Sequence, residues 1–206
     1  MRTFPIGQVR YVAIGASDSV GVGARDPVMG SWTARLASLL PPGSAFRNVA
    51  VSGSLADQAR IEQLPLALRE QPTVVTIWLA VNDLNAEVAS SAHAAALGAI
   101  VDALVRDTPA RTFVGTVPDL RAVPAYAGAD QAALIARIGA YNAGIAALGA
   151  KHAGRVVVVD LFTGSAELTS QITVSPDGFH PSDAGYTLIA ARFAEAMRTN
   201  GIPLAR

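Results

Sequence analysis

The chain contains no cysteine, which removes disulfides, thiolate metal ligands and a cysteine nucleophile. Histidine is nearly as scarce: there are three in 206 residues, and none has a second histidine at ligand spacing. No metal is therefore expected. Charge is sparse and balanced, with 16 basic residues against 16 acidic ones. A net charge near zero offers nothing to nucleic acid or to an anionic membrane surface. The longest wholly apolar runs are far shorter than a membrane span, so no stable membrane insertion is expected. Residues 1–10 lack a basic segment followed by a long apolar run. That makes a cytoplasmic location the default expectation, or secretion had a leader been removed. Linkers, internal repeats and low-complexity tails are missing too, which points to a single domain over residues 1–206.

What is present is alternation. Short β-rich runs at 9–14, 46–49, 74–79, 112–116 and 156–159 are separated by stretches of helical period at 31–40, 55–69, 85–106, 130–151 and 182–199. Short strands without internal alternation, divided by helices, predict a parallel sheet covered on both faces. Right-handed crossovers then give an α/β protein, a three-layer α/β/α sandwich with five parallel strands. In the flavodoxin-like order 2-1-3-4-5, ligands bind beyond the carboxyl ends of strands one and three.

Four segments carry chemistry. Asp177-Gly178-Phe179-His180-Pro181 puts a carboxylate three residues before an imidazole, in a stretch too rich in Gly and Pro to continue a helix. One loop can thus present an orienting acid and a general base, and lacks only a nucleophile. Gly15-Ala16-Ser17-Asp18-Ser19 supplies one at the end of strand one. Ser17 lies nearer the strand end, and Ser19 is the rival. Asn48-Val49-Ala50-Val51-Ser52-Gly53 follows strand two, where Gly53 could aim a backbone N–H at a developing oxyanion. Ala80-Val81-Asn82-Asp83 follows strand three. There Asn82 offers a donor that cannot be titrated away, while Asp83 caps or braces the turn.

In this order and placement, the four segments resemble the SGNH hydrolase superfamily, the GDSL esterases and lipases, from about residue 11 to 197. The resemblance implies a triad of Ser17, Asp177 and His180. It also implies an oxyanion hole from the Ser17 and Gly53 N–H groups with the Asn82 amide. The family's Thr or Ser two residues after the nucleophile matches Ser19, which favours Ser17 as the attacker. Two positions depart from the pattern. Gly-Asp-Ser becomes Gly15-Ala16-Ser17, with Asp18 following as a candidate loop brace, and Gly-x-Asn-Asp becomes Ala80-Val81-Asn82-Asp83.

The expected activity is hydrolysis of a small-molecule carboxylic ester, of short to medium acyl chain, through an acyl-serine, a route that requires no cofactor. Leu84, Leu120, Val123 and Phe179 are the expected apolar pocket residues. Acyl transfer or thioester cleavage by the same triad are alternatives, and a non-catalytic flavodoxin-like ligand-binding domain is a rival of another class. A dinucleotide site is disfavoured because Asp26 interrupts the Gly21, Gly23 series. Asp119 and Asp160 end strands but lack the local histidine of Asp177. His93 and His152 read as helix histidines, and Trp32 and Trp78 as packing residues.

Overall fold

A computed structural model describes residues 8–205; residues 1–7, which bear on the leader, lie outside the described residues. Its five strands are β1 (Arg10–Gly15), β2 (Ala45–Asn48), β3 (Val74–Trp78), β4 (Arg111–Gly115) and β5 (Val156–Val159). The helices are α1 (Ser17–Val20), α2 (Pro27–Gly30), α3 (Trp32–Ser38), α4 (Ala56–Glu62), α5 (Leu64–Arg69), α6 (Val81–Asn85), α7 (Ser90–Asp107), α8 (Gln131–Lys151), α9 (Ser165–Leu168) and α10 (Asp183–Thr199). Every strand pairing is parallel, in the order β2-β1-β3-β4-β5. This is the expected three-layer sandwich.

Side chains of β1 divide by parity. Val12 and Ile14 enter one apolar layer with Val75, Ile77, Leu97, Ile100 and Leu104. Tyr11 and Ala13 enter the other with Trp32, Leu36, Phe113, Phe193 and Met197. That is the two-residue period of a strand buried on both faces. Trp32 fixes the second layer: it stacks on Phe193 of α10 at 4.3 Å and meets Trp78 of β3 edge-on at 6.1 Å.

Two expected helices are broken. The stretch 55–69 divides at Gln63, because Pro65 has no N–H to continue the ladder. The stretch 85–106 divides into the end of α6 and all of α7. Between them Glu87 takes a positive φ of 55°, which ends the first turn. By length and composition α8 could cross a membrane. In this fold, however, Leu134, Ile138 and Tyr141 pack with Leu84, Val117 and Leu120, and Ile145 and Leu148 join the layer of Leu97, Ile100 and Val156.

Candidate active site

The strand ends bring the expected groups together. β1 stops at Gly15, and Ser17 opens α1 with its side chain nearly buried. Its Oγ lies 3.0 Å from His180 Nε2, across 163 residues of chain. His180 Nδ1 lies 2.7 Å from Asp177 Oδ2. An ionised carboxylate only accepts, so Nδ1 carries the proton and donates it to Asp177. Nε2 is left to accept from the Ser17 hydroxyl.

The loop that carries the pair is pinned as a tight turn. Ser175 N–H donates to His180 O at 2.8 Å, and Gly178 N–H donates to Ser175 O at 3.0 Å. Asp177 Oδ1 accepts from Ser175 Oγ and from the backbone N–H groups of Phe179 and His180. Partial burial works against the Asp177 charge. The hydrogen bonds from Ser175, His180 and Phe179 outweigh it and hold the carboxyl well below the usual carboxylate range. Gly23, at φ 96°, backs this loop. A Cβ there would sit 2.5 Å from Pro181 O and 3.0 Å from His180 Cβ.

Ser19, the rival nucleophile, is fully buried. Its hydroxyl donates to Asp18 at 3.1 Å, while its carbonyl accepts from Thr33 and Asn48. Asp18 also accepts from the Ser19 N–H at 2.5 Å, so it does brace the start of α1. Burial pushes the Asp18 carboxyl up to about 6, against the pull of its Ser19 bonds and of His180.

Gly53 lies on the loop after β2 at φ 80°, where a left-handed conformation suits glycine. Asn82 donates one amide N–H to Ser54 O at 3.1 Å, tying the loop after β3 to the residue beside Gly53. Asp83 is fully buried and accepts the Ala56 N–H at 3.0 Å, so it braces the α4 start. Its other oxygen lies 3.3 Å from His93 Nδ1. Neither ring nitrogen of His93 makes an aligned hydrogen bond among the described residues. His93 is thus a buried histidine of α7, its ring tilted against that of Tyr141 at 4.7 Å. Ala80, which opens the third segment, is held at φ 157°, ψ −35°.

A predominantly apolar cleft opens beside Ser17 and His180. Leu120, Val123 and Phe179 line it, as expected. Leu84 does not. It is 2% exposed and packs with Val117, Leu120 and Leu134, because residues 81–85 form a helical turn that rotates it inward. Gly53 is likewise not among the lining residues, whereas Asn82 is. No sequence signal marked the far wall, built by Leu161, Leu168, Val174, Leu188 and Ile189. Asp119 and Asp160 have partners other than His180. The first pairs with Arg121 at 2.6 Å, and the second accepts the N–H groups of Phe162 and Thr163. Among the described residues no group of three or more His, Asp or Glu side chains could hold a metal ion.

A parallel α/β sandwich with a Ser–His–Asp array at its switch point defines a hydrolase-type site. A profile of the GDSL-like Lipase/Acylhydrolase family matches residues 13–188, and the chain belongs to that family. A search of curated proteins returns no match. Solved structures share the fold. TesA superposes with a TM-score of 0.71 at 22% identity, over 93% of this chain and 99% of its own. A catalytic mutant of Axe2, an acetylxylan esterase from Geobacillus stearothermophilus, gives 0.75 at 18%, over 98% of each chain. A family 3 carbohydrate esterase from Clostridium thermocellum gives 0.69 at 22%, over 93% and 96%.

Proposed function

We propose that the chain hydrolyses carboxylic esters of short to medium acyl chain through an acyl-serine intermediate. The observation that carries this reading is the unbroken contact from Ser17 Oγ through His180 to Asp177. Family membership and the esterases among the structural neighbours support it.

The proposed chemistry uses that contact. The substrate's acyl chain lies in the apolar cleft and its carbonyl carbon faces Ser17. Ser17 Oγ attacks that carbon while its proton passes to His180 Nε2. The carbonyl π pair moves to oxygen, which the N–H groups of Ser17 and Gly53 and the second amide N–H of Asn82 hold. Asp177 stabilises the imidazolium and keeps the ring's tautomer. The intermediate collapses, the C–O bond to the alcohol breaks, and His180 returns its proton to the leaving oxygen. Water then attacks the acyl-serine, losing a proton to His180. Ser17 regains that proton as the carboxylic acid departs.

The test is Ser17→Ala, with the fold checked by circular dichroism and turnover followed on p-nitrophenyl acetate and longer esters. Activity should fall by at least about 1000-fold, since removing one triad member removes the covalent route. A fluorophosphonate should label the wild type once, on the peptide containing Ser17. Unchanged turnover in a folded Ser17→Ala protein, or labelling at another serine, overturns the assignment.

A further inference from the structure

The oxyanion groups proposed above sit on three separate loops, and their spacing needs a structural cause. β2 ends at Asn48, opposite Ala13. β1 continues two residues further to Gly15, so its β2-facing edge runs on without a strand partner. A side chain occupies that lane. Gln63 is fully buried at the junction of α4 and α5. Its Oε1 accepts the Gly15 N–H at 3.0 Å and its Nε2 donates to Gly15 O at 2.9 Å. The carboxamide thus pairs with both backbone groups of Gly15, as a neighbouring peptide would. Gly15 O also accepts the Val51 N–H at 3.2 Å. The second Nε2 hydrogen goes to Ser54 Oγ at 3.0 Å. Ser54 O in turn accepts from Asn82.

We infer that Gln63 is a positioning residue for the oxyanion hole. One planar amide fixes the distance from the end of β1, two residues before Ser17, to Ser54, one residue after Gly53. Through the Ser54 carbonyl it fixes Asn82 as well. The inference rests on the esterase reading and adds to it the device that holds the three donors in register. A buried carboxamide suits the task because it both donates and accepts and never changes charge. All three of its bonds are needed. Oxyanion donors act only near 3 Å from the developing charge, and a displacement of about 1 Å can cost about 100-fold in rate.

The experiment compares Gln63→Met, Gln63→Glu and Ser54→Ala with the wild type. Methionine keeps the length and loses every bond. Glutamate keeps the acceptor and loses both donors. The serine variant removes only the Ser54 arm. For the two Gln63 variants kcat should fall about 10- to 100-fold with KM within about twofold. Affinity for a trifluoromethyl ketone transition-state analogue should fall in parallel with kcat. Ser54→Ala should show a smaller fall of the same kind. The double variant Gln63→Met/Ser54→Ala should be no slower than Gln63→Met, because both remove the same bridge.

A lower melting temperature with kcat per folded molecule unchanged would make Gln63 a stability residue only, and the inference would be wrong. A rise in KM at constant kcat would also overturn it. If both Gln63 variants fail to fold, Ser54→Ala decides: unchanged kcat and unchanged analogue affinity refute the bridge. Fluorophosphonate labelling of wild-type Ser17 separates the two ideas. Labelling with normal kcat in the variants removes the Gln63 role alone, whereas no labelling removes the esterase reading and the positioning role with it.

Discussion

Asp18 should cost the fold stability at neutral pH that it does not cost at pH 4, so replacing it with asparagine should stabilise the protein at neutral pH and not at pH 4. Its carboxyl is pushed from 3.8 to about 6, chiefly by burial. Between those values the folded chain holds a proton that the unfolded chain has released. Stability therefore falls as pH rises through this window, and the penalty is complete above pH 6. A rise of that size corresponds to about 3 kcal/mol. The carboxylate borders the cleft and keeps some contact with water, so about 1–2 kcal/mol is the expected effect. The asparagine of Asp18→Asn has the same shape as the aspartate, and its Oδ1 can still accept from the Ser19 N–H. For a chain of this size the gain at pH 8 is about 2–8 °C in melting temperature. The assay is thermal unfolding of wild type and Asp18→Asn at pH 8, 6 and 4. The difference should be largest at pH 8 and vanish at pH 4. Comparing the two proteins at each pH cancels Asp177, whose depressed carboxyl acts in the opposite sense: its contribution is present above about pH 4 and lost on acidification. A gap between the two proteins that does not change with pH would refute the reasoning. So would a destabilised Asp18→Asn at pH 8.

The other expectations concern strain and pocket shape. Ala80→Gly should stabilise the fold by about 1 kcal/mol, or about 2–4 °C by calorimetry. It relieves a conformation that alanine tolerates poorly, less the entropy that glycine adds to the unfolded chain; a lower melting temperature would show the backbone there to be unstrained. Leu161→Ala enlarges the buried end of the cleft. It should cost about 2–5 kcal/mol of stability and move the preferred p-nitrophenyl ester to a longer chain. An unmoved preference would place the acyl chain elsewhere.

Much of the architecture was legible because parallel strands buried on both faces leave a plain mark. The β-rich runs predicted five strands, and the structure has five, with ends displaced by one residue or matched. Ser17, Asp177 and His180 were legible for another reason: each sits where a strand or loop ends in residues that cannot extend it. The losses share a physical cause. Gln63 carried no signal of its own inside the helical stretch 55–69, and its partner Gly15 is 48 residues away. His93 sits ten residues after Asp83, and only the break between α6 and α7 lets those side chains meet. Leu84 was expected to face the cleft as a loop residue, and the helical turn at 81–85 reverses it. The far wall of the cleft comes from Leu161 just after β5, from α9, from the loop at 173–174 and from α10, segments whose sequences carry no period that marks a pocket.

The two departures from the family pattern turn out to be costs placed at the site. Alanine stands at a position whose φ of 157° suits glycine, and the carboxylate one place beyond Ser17 is buried enough to resist ionisation. Each opposes folding by an amount on the order of 1–2 kcal/mol, which matters in a domain whose net stability is about 5–15 kcal/mol. The opposing terms lie close by. Gln63, Asp83 and Asn82 cross-link the loops after β1, β2 and β3, and Trp32 binds α10 to the sheet from the other face. A strained loop that is cross-linked on several sides cannot relax locally, so its strain is released only by wider unfolding. On that account the brackets do two things with the same atoms: they hold the proposed donors at reacting distance, and they keep the charge and the bent backbone beside Ser17 from escaping into an unreactive arrangement.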